Sequence, residues 1–179
     1  MNGTKIPQIV FKTRIGDEAP VGGGCPIGGV WKDVTTEDLF SGKRVILFSL
    51  PGAYTPTCST YQLPGFEEGF EDFQNEGIDE IYCSSVNDSF VMNEWANHLG
   101  IKNVKVIPDG NGELASALGK FADFSHLGFG GRSKRFAAVI NDGVIEAWFP
   151  EPDATETDPD PYGVSSPERV LAYLKKKEM

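Results

Sequence analysis

Apolar positions along this chain recur in two periods. Where they run together or alternate they predict strands, and where they return every three or four residues they predict helices. "QIVFKTRI" alternates loosely and predicts a first strand near residues 8–14. "VWKDVTTEDLFSGK" predicts a short strand and then a helical turn, capped by Thr35 or Thr36 and stopped near Gly42. "RVILFSL", residues 44–50, is continuous and β-prone, the pattern of a central strand covered on both faces. In "LPGFEEGFEDFQNEG", Phe66, Phe70 and Phe73 stand four and three residues apart and share one helical face. Glu67, Glu68, Glu71 and Asp72 fall mostly elsewhere, so the aromatic stripe is expected to be core, and Gly77 to end the helix.

Further along, "DEIYCSSV" is the next strand and "NDSFVMNEWANHLG" a helix closed by Gly100. "VKVIPDGNGE" predicts a strand and a tight turn, and "LASALGKF" a helix. "KRFAAVINDGVIEAWFPE" predicts a hairpin, two apolar strands joined through Asn-Asp-Gly. "SSPERVLAYLKKKEM" predicts a final helix with Ser166 as N-cap, Pro167 in its first turn and lysines in its last. The order describes an α/β sandwich, parallel strands first and an antiparallel pair after. Residues 1–179 are expected to form a single domain, with a Gly/Pro-rich loop at 15–29 and an acidic, solvated loop at 151–165.

Composition narrows the partners. With 26 acidic and 16 basic residues the net charge is −10, which disfavours phosphate backbones and hence nucleic acid. The longest apolar run, "VILFSL", is far shorter than the roughly 20 residues that cross a bilayer, so no membrane partner is expected. "MNGTKIPQIVFKTRIG" has no basic segment followed by an apolar one, which predicts no signal peptide and a cytoplasmic location. The three cysteines, Cys25, Cys58 and Cys83, neither pair evenly nor form a CxxC. His98 and His126 are not at metal-ligand spacing from any of them, so no metal site is predicted.

Cys58 sits in "SLPGAYTPTCST", where an apolar strand ends and a polar turn begins. A thiol acts as a nucleophile through its thiolate, which helix N-termini and nearby cations favour. Cys58 is placed to open a helix running toward Leu63, whose free N–H groups can meet a sulfur anion or an incoming oxygen. Pro51 and Pro56 stiffen the turn, Gly52 permits close approach, and Thr55 is near enough to share a pocket. On this geometry alone, a small buried thiol at a strand end and a nucleophile both fit.

The same residues carry a family resemblance. Pro51–x–x–x–Thr55–x–x–Cys58, written "PGAYTPTC", resembles the active-site signature of the peroxiredoxins. The wider "SLPGAYTPTCSTYQLPGF" is similar to the subfamily called type five in animals and type II in plants. "CSSVNDSFVMNEWA" (83–96), "IPDGNGE" (107–113) and "LGFGGRSKRFAAVINDGVIE" (127–146) resemble it in the same order and spacing. The resemblance implies a thioredoxin-like fold, a central mixed β-sheet flanked by helices, and thiol-dependent reduction of hydrogen peroxide and alkyl hydroperoxides without metal, flavin or haem. It implies that Cys58 is the peroxidatic cysteine and is oxidised to a sulfenic acid. Thr55 would hydrogen-bond the peroxide, Pro51 would shield the pocket, and the family's arginine would be Arg135, just before "FAAVIND". A guanidinium there favours the thiolate and can hold the peroxide oxygens in line, while Arg132 and Lys134 read as a solvated basic loop.

Gln62 stands where relatives often carry histidine, which would leave a polar but non-titrating group near the pocket entrance. Tyr54 stands where phenylalanine is usual. For reduction of the sulfenic acid, residues 150–166 contain no cysteine, and Cys83 falls in a predicted strand as a core thiol. The expectation is therefore a one-cysteine enzyme served by external glutathione with glutaredoxin, no glutaredoxin domain being present, with thioredoxin second. Cys25 reads as a passive thiol in its loop. A homodimer is implied by resemblance, with Phe90, Trp95 and the loop after Pro51 contributing. A thiol–disulfide oxidoreductase would want two close cysteines, and a cysteine hydrolase a marked histidine base. The remaining alternative is a redox sensor or holdase that uses Cys58 only as an oxidisable switch.

Overall fold

The computed structural model describes residues 1–16 and 29–177. Its elements begin with β1 (Val10–Ile15), β2 (Val30–Thr35), α1 (Thr36–Phe40) and β3 (Arg44–Ser49). A π-helical segment, Cys58–Gln62, runs into α2 (Leu63–Glu68), followed by α3 (Phe70–Asn75), β4 (Glu80–Ser85) and α4 (Ser89–His98). Then come β5 (Lys105–Pro108), α5 (Glu113–Ala117), β6 (Phe121–Asp123), a 3-10 turn at Ser125–Leu127 and β7 (Gly131–Ser133). The chain continues with β8 (Phe136–Asn141), β9 (Val144–Pro150) and α6 (Pro167–Lys177).

Five strands form a mixed sheet in the order β5-β4-β3-β8-β9. β3 lies at its centre, parallel to β4 and antiparallel to β8. Its unbroken apolar run is explained by burial on both faces. Ile46, Phe48 and Leu50 enter one core with Phe66, Phe73, Met92, Trp95 and Val170. Val45 and Leu47 enter the other with Phe11, Phe40, Leu114 and Leu118. The predicted hairpin is β8–β9, where Asn141 pairs with Val144 across the two residues Asp142 and Gly143. Both have positive φ, 48° and 76°, the twist that matches two right-handed strands. α1 opens on Thr35 through a capping box with Asp38, and Ser166 caps α6 by accepting from the Arg169 N–H. This layered, mixed-sheet architecture is the thioredoxin-like fold.

Several local expectations change. The first strand starts at Val10 and pairs with β2 in a separate antiparallel ribbon, which the loose alternation did not reveal. The phenylalanine stripe spans two helices, because the chain breaks at Gly69 where helix propensity is low. Phe66 and Phe73 are still fully buried, Phe66 stacking on Phe48 at 4.2 Å between ring centroids. The helix expected over "LASALGKF" stops at Ala117, and Phe121 instead opens β6, which pairs with β7 across a stretch, 122–133, that carries no expected element. Residues 152–160 are exposed, as their composition predicts, but Glu151 and Ser165 at the two ends are buried. Trp95 is wholly buried with its indole N–H donating to Ser59 Oγ at 3.0 Å, so it cannot serve as a subunit contact. Cys25 and most of the predicted 15–29 loop lie outside the described residues. No helix among the described residues is long and apolar enough to cross a membrane.

Two stability predictions arise from this packing. Phe66→Ala should cost about 3–5 kcal/mol by chemical denaturation, since it opens a cavity between β3 and α3. Glu67 is the second. Its carboxylate accepts the backbone N–H groups of Lys102, Asn103 and Val104 at 2.8–3.1 Å, and the Asn103 side chain as well. Burial pushes its pKa up, but these donors outweigh it and hold the group below the usual carboxylate value. A depressed folded value means the stabilisation is complete above the unfolded value, about 4.3, and is lost as pH falls through the folded one. Glu67→Gln should therefore lower Tm at pH 7 by about 2–4 °C, on the order of 1 kcal/mol, with the gap closing toward pH 3. A gap independent of pH would assign the effect to packing.

Candidate active site

The C-terminal end of β3 delivers the chain into a turn, Pro51–Thr57, that is fastened from several sides. Asn87 accepts the Ala53 N–H at 3.0 Å and the Ser85 hydroxyl at 2.7 Å, tying the turn to the end of β4. The Thr55 hydroxyl donates to Gly52 O at 2.7 Å, and the Ser59 N–H donates to Thr55 O. A Cβ on Gly52 would stand 3.0 Å from Arg132 Nη1 and 3.3 Å from Thr55 Cγ2, so the close approach anticipated for this glycine is used. Tyr54 adopts φ 64°, a conformation costly for a bulky side chain, and remains half exposed.

Cys58 opens the π-helical segment, and its carbonyl accepts from the Leu63 N–H five residues on. Its side chain is fully buried, in contact with the core that contains Phe48, Leu63 and Cys83. The basic cluster "GRSKR" separates in space. Arg132 bonds the carbonyls of Phe129 and Val86, and Lys134 pairs with Asp153. Arg135 alone of the three turns inward and is 3% exposed. Its Nη1 lies 3.4 Å from Cys58 Sγ and 2.6 Å from Gln62 Oε1, and its Nη2 lies 2.7 Å from Asp160 Oδ1. The guanidinium also sits 5.7 Å from the ring centroid of Tyr162. Its Nε is buried and has no hydrogen-bond partner among the described residues. Burial opposes the charge on Arg135, but Cys58 and Asp160 outweigh it and raise its pKa further.

Thus Pro51, Thr55, Cys58 and Arg135, 77 residues apart from cysteine to arginine, converge at one end of the sheet. Sequence reasoning misplaced one contributor, Gln62, and missed two, Asp160 and Asn87. Gln62 is not at the pocket entrance: it is fully buried, bonded to Arg135 on one side and to Ser165 on the other. Asp160 reaches the guanidinium from the acidic loop, where composition could not distinguish it from Asp153 or Asp158. Asn87 follows β4 in a block quoted for its resemblance, but nothing local marks it as the fastening of the Cys58 turn.

A cleft of about 340 Å³ opens above this cluster, lined by Pro51, Thr55, Pro56, Thr57, Phe124, Leu127, Phe129, Arg135, Pro159 and Asp160. Its walls are mostly apolar, with Thr55, Thr57, Arg135 and Asp160 as the polar side chains, so it suits a small molecule with an apolar body and a polar, hydrogen-bonding head. Cys83, in β4, is fully buried. Burial, and secondarily the neighbouring Cys58, push its pKa well above the usual thiol range, which suppresses its thiolate.

Comparison with known proteins gives the chain's family and fold. The family model described as Redoxin matches residues 3–164. A peroxiredoxin of Rhizobium etli is 55% identical over 174 residues, covering 96% of this chain and 94% of that protein. Among solved structures, the Plasmodium falciparum antioxidant protein, a 1-Cys peroxiredoxin, superposes with a TM-score of 0.87 at 31% identity over 98% of this chain and 99% of its own. Reduced Prx3 of Vibrio vulnificus in complex with hydrogen peroxide superposes with a TM-score of 0.83 at 30% identity, covering 99% and 98%.

Proposed function

We propose, on the premise that this chain belongs to the Redoxin family and within it to the peroxiredoxins, that Cys58 is the peroxidatic nucleophile of this thiol peroxidase. The observation that carries the assignment is the contact between Arg135 Nη1 and Cys58 Sγ, 3.4 Å, made where both groups are buried. A fixed guanidinium at that distance can pair with the sulfur as it reacts and with the oxygen that leaves the peroxide.

The reaction follows from the positions of the donors. A hydroperoxide enters between Pro51, Thr55 and Arg135, its organic group along the Phe124, Leu127 and Phe129 wall. The Thr55 hydroxyl gives its proton to Gly52 O and so offers its lone pairs to the peroxide O–H. Arg135 Nε, buried and with no hydrogen-bond partner among the described residues, is the donor assigned to a peroxide oxygen. The Cys58 thiolate attacks the nearer oxygen in line with the O–O bond. That bond breaks, its electron pair leaves with the far oxygen, and the resulting oxyanion is stabilised by the guanidinium until it takes a proton as water or alcohol. Cys58 is left as a sulfenic acid.

We place the second half of the cycle with external thiols. Cys83 is buried and held as a thiol, and residues 150–166 hold no cysteine, which favours a one-cysteine cycle. A thiol attacks the Cys58 sulfur with loss of water to give a mixed disulfide, and a second thiol releases Cys58. The full burial of Cys58 requires the Pro56–Gln62 turn to open for this step. Glutathione with glutaredoxin is the proposed reductant and thioredoxin the second, in a cytoplasmic homodimer whose contacts exclude Trp95 and use the exposed Tyr54 and Phe90. The test is intact mass of the reduced protein after one equivalent of hydrogen peroxide, followed by turnover with each reductant. A gain of one oxygen, and turnover with glutathione and glutaredoxin, are expected. A loss of two hydrogens would make Cys83 or Cys25 a resolving cysteine, and no change in mass would overturn the assignment of Cys58.

A further inference from the structure

We infer that Gln62, Ser165 and Glu151 form a buried relay that sets the rotation of the Arg135 guanidinium over Cys58, an inference that rests on the peroxidase reading of that site. The argument is one of direction. A carboxylate can only accept, and Glu151 Oε1 takes the Gly163 N–H and the Ser165 N–H at 2.7 Å and the Ser165 hydroxyl at 2.9 Å. With its proton committed to Glu151, Ser165 Oγ can only accept from Gln62. Gln62 Nε2 lies 3.2 Å from that hydroxyl and 3.4 Å from Ser165 O. An amide whose nitrogen is engaged there must turn its oxygen the other way, and Oε1 meets Arg135 Nη1 at 2.6 Å.

Nη1 carries two hydrogens. With one fixed on Gln62, the other is aimed at Cys58 Sγ, 3.4 Å away. The opposite amide orientation would set an NH2 group against the guanidinium and lose both the bond and the aim. Asp160 holds Nη2, but its side chain is 44% exposed, whereas Gln62 and Ser165 are wholly buried. The relay is thus the water-excluded half of the clamp, and buried bonds of this kind are the more persistent. It also gives the late segment a task. Glu151 and Ser165 bracket the acidic loop, and through Gln62 they act on a cysteine roughly a hundred residues earlier. The three are positioning residues, since none of them touches the reacting atoms.

Gln62→Met and Ser165→Ala, each in the otherwise unchanged chain, test this through two second-order rates at Cys58, followed by site-resolved mass spectrometry. Hydrogen peroxide needs an aimed guanidinium for its departing oxyanion. Iodoacetamide, a neutral alkylator, does not. The peroxide rate should fall about 10- to 100-fold in Gln62→Met and about 3- to 10-fold in Ser165→Ala, while the iodoacetamide rate falls by less than about threefold. Equal falls in both rates would make the residues merely structural and overturn the relay, as would unchanged peroxide rates. Should Gln62→Met not fold, Ser165→Ala, which loses only a hydroxyl, decides. A wild-type protein labelled by iodoacetamide at Cys58 but inert to peroxide would overturn the peroxidase reading itself, and the relay with it.

Discussion

Cys58→Ser is expected to consume hydrogen peroxide about 10³-fold more slowly than the wild type, or worse, and to gain no oxygen in intact mass. A serine hydroxyl stays protonated at neutral pH and is a poor nucleophile toward the O–O bond. The substitution exchanges one atom for a slightly smaller one in a fully buried position, so the packing around Phe48 and Leu63 should survive. Loss of reaction with Tm preserved would place the chemistry on the sulfur of Cys58. An oxygen appearing on the variant would place it on Cys83 or Cys25 instead. That outcome would contradict the burial that suppresses the Cys83 thiolate.

Arg135→Lys is expected to lower the second-order rate with hydrogen peroxide about 10²- to 10³-fold, equivalent to about 2.7–4 kcal/mol of transition-state stabilisation. Charge is retained, so the loss would measure geometry. Arg135 reaches Cys58 and Gln62 from one nitrogen and Asp160 from another, while Nε has no hydrogen-bond partner among the described residues. A single ammonium cannot make these contacts at once. Gln62 Oε1 would then be an acceptor in the interior with a poorly placed donor, costing about 1–3 kcal/mol of stability. Stopped-flow oxidation of the reduced protein, beside a denaturation curve, separates the two effects. A lysine variant within about threefold of wild type would show that only charge matters at this position.

The fold and half of the site were legible in the sequence for the same reason: the determinants are local. "RVILFSL" needs no partner to be read as a strand buried on both faces, and β3 proved to be the centre of the sheet. Asn141-Asp142-Gly143 specifies its turn through backbone preferences alone. The Pro51-to-Cys58 turn likewise sets Pro51, Thr55 and Cys58 in one stretch, and Arg135 is singled out because its block of sequence resembles a known one. The Phe66–Phe73 stripe was read correctly as core but not as two helices, because a single glycine is tolerated or breaks a helix according to what packs on it.

The amino-acid order by itself determined the α/β class, the central strand, the hairpin, and a cysteine in a stiffened turn at a helix start. Each follows from periodicity, turn chemistry or caps acting over a few residues. The tertiary structure alone decided what holds the cation that meets the sulfur and where its two neighbours go. Arg132, Lys134 and Arg135 are near-equivalent in sequence, yet only Arg135 turns inward to Cys58. It likewise took Trp95 out of any interface and Gln62 from the pocket entrance to its interior. The reason is physical: a buried hydrogen bond depends on direction and distance to partners 25 to 103 residues away, and no local pattern encodes where those partners will be.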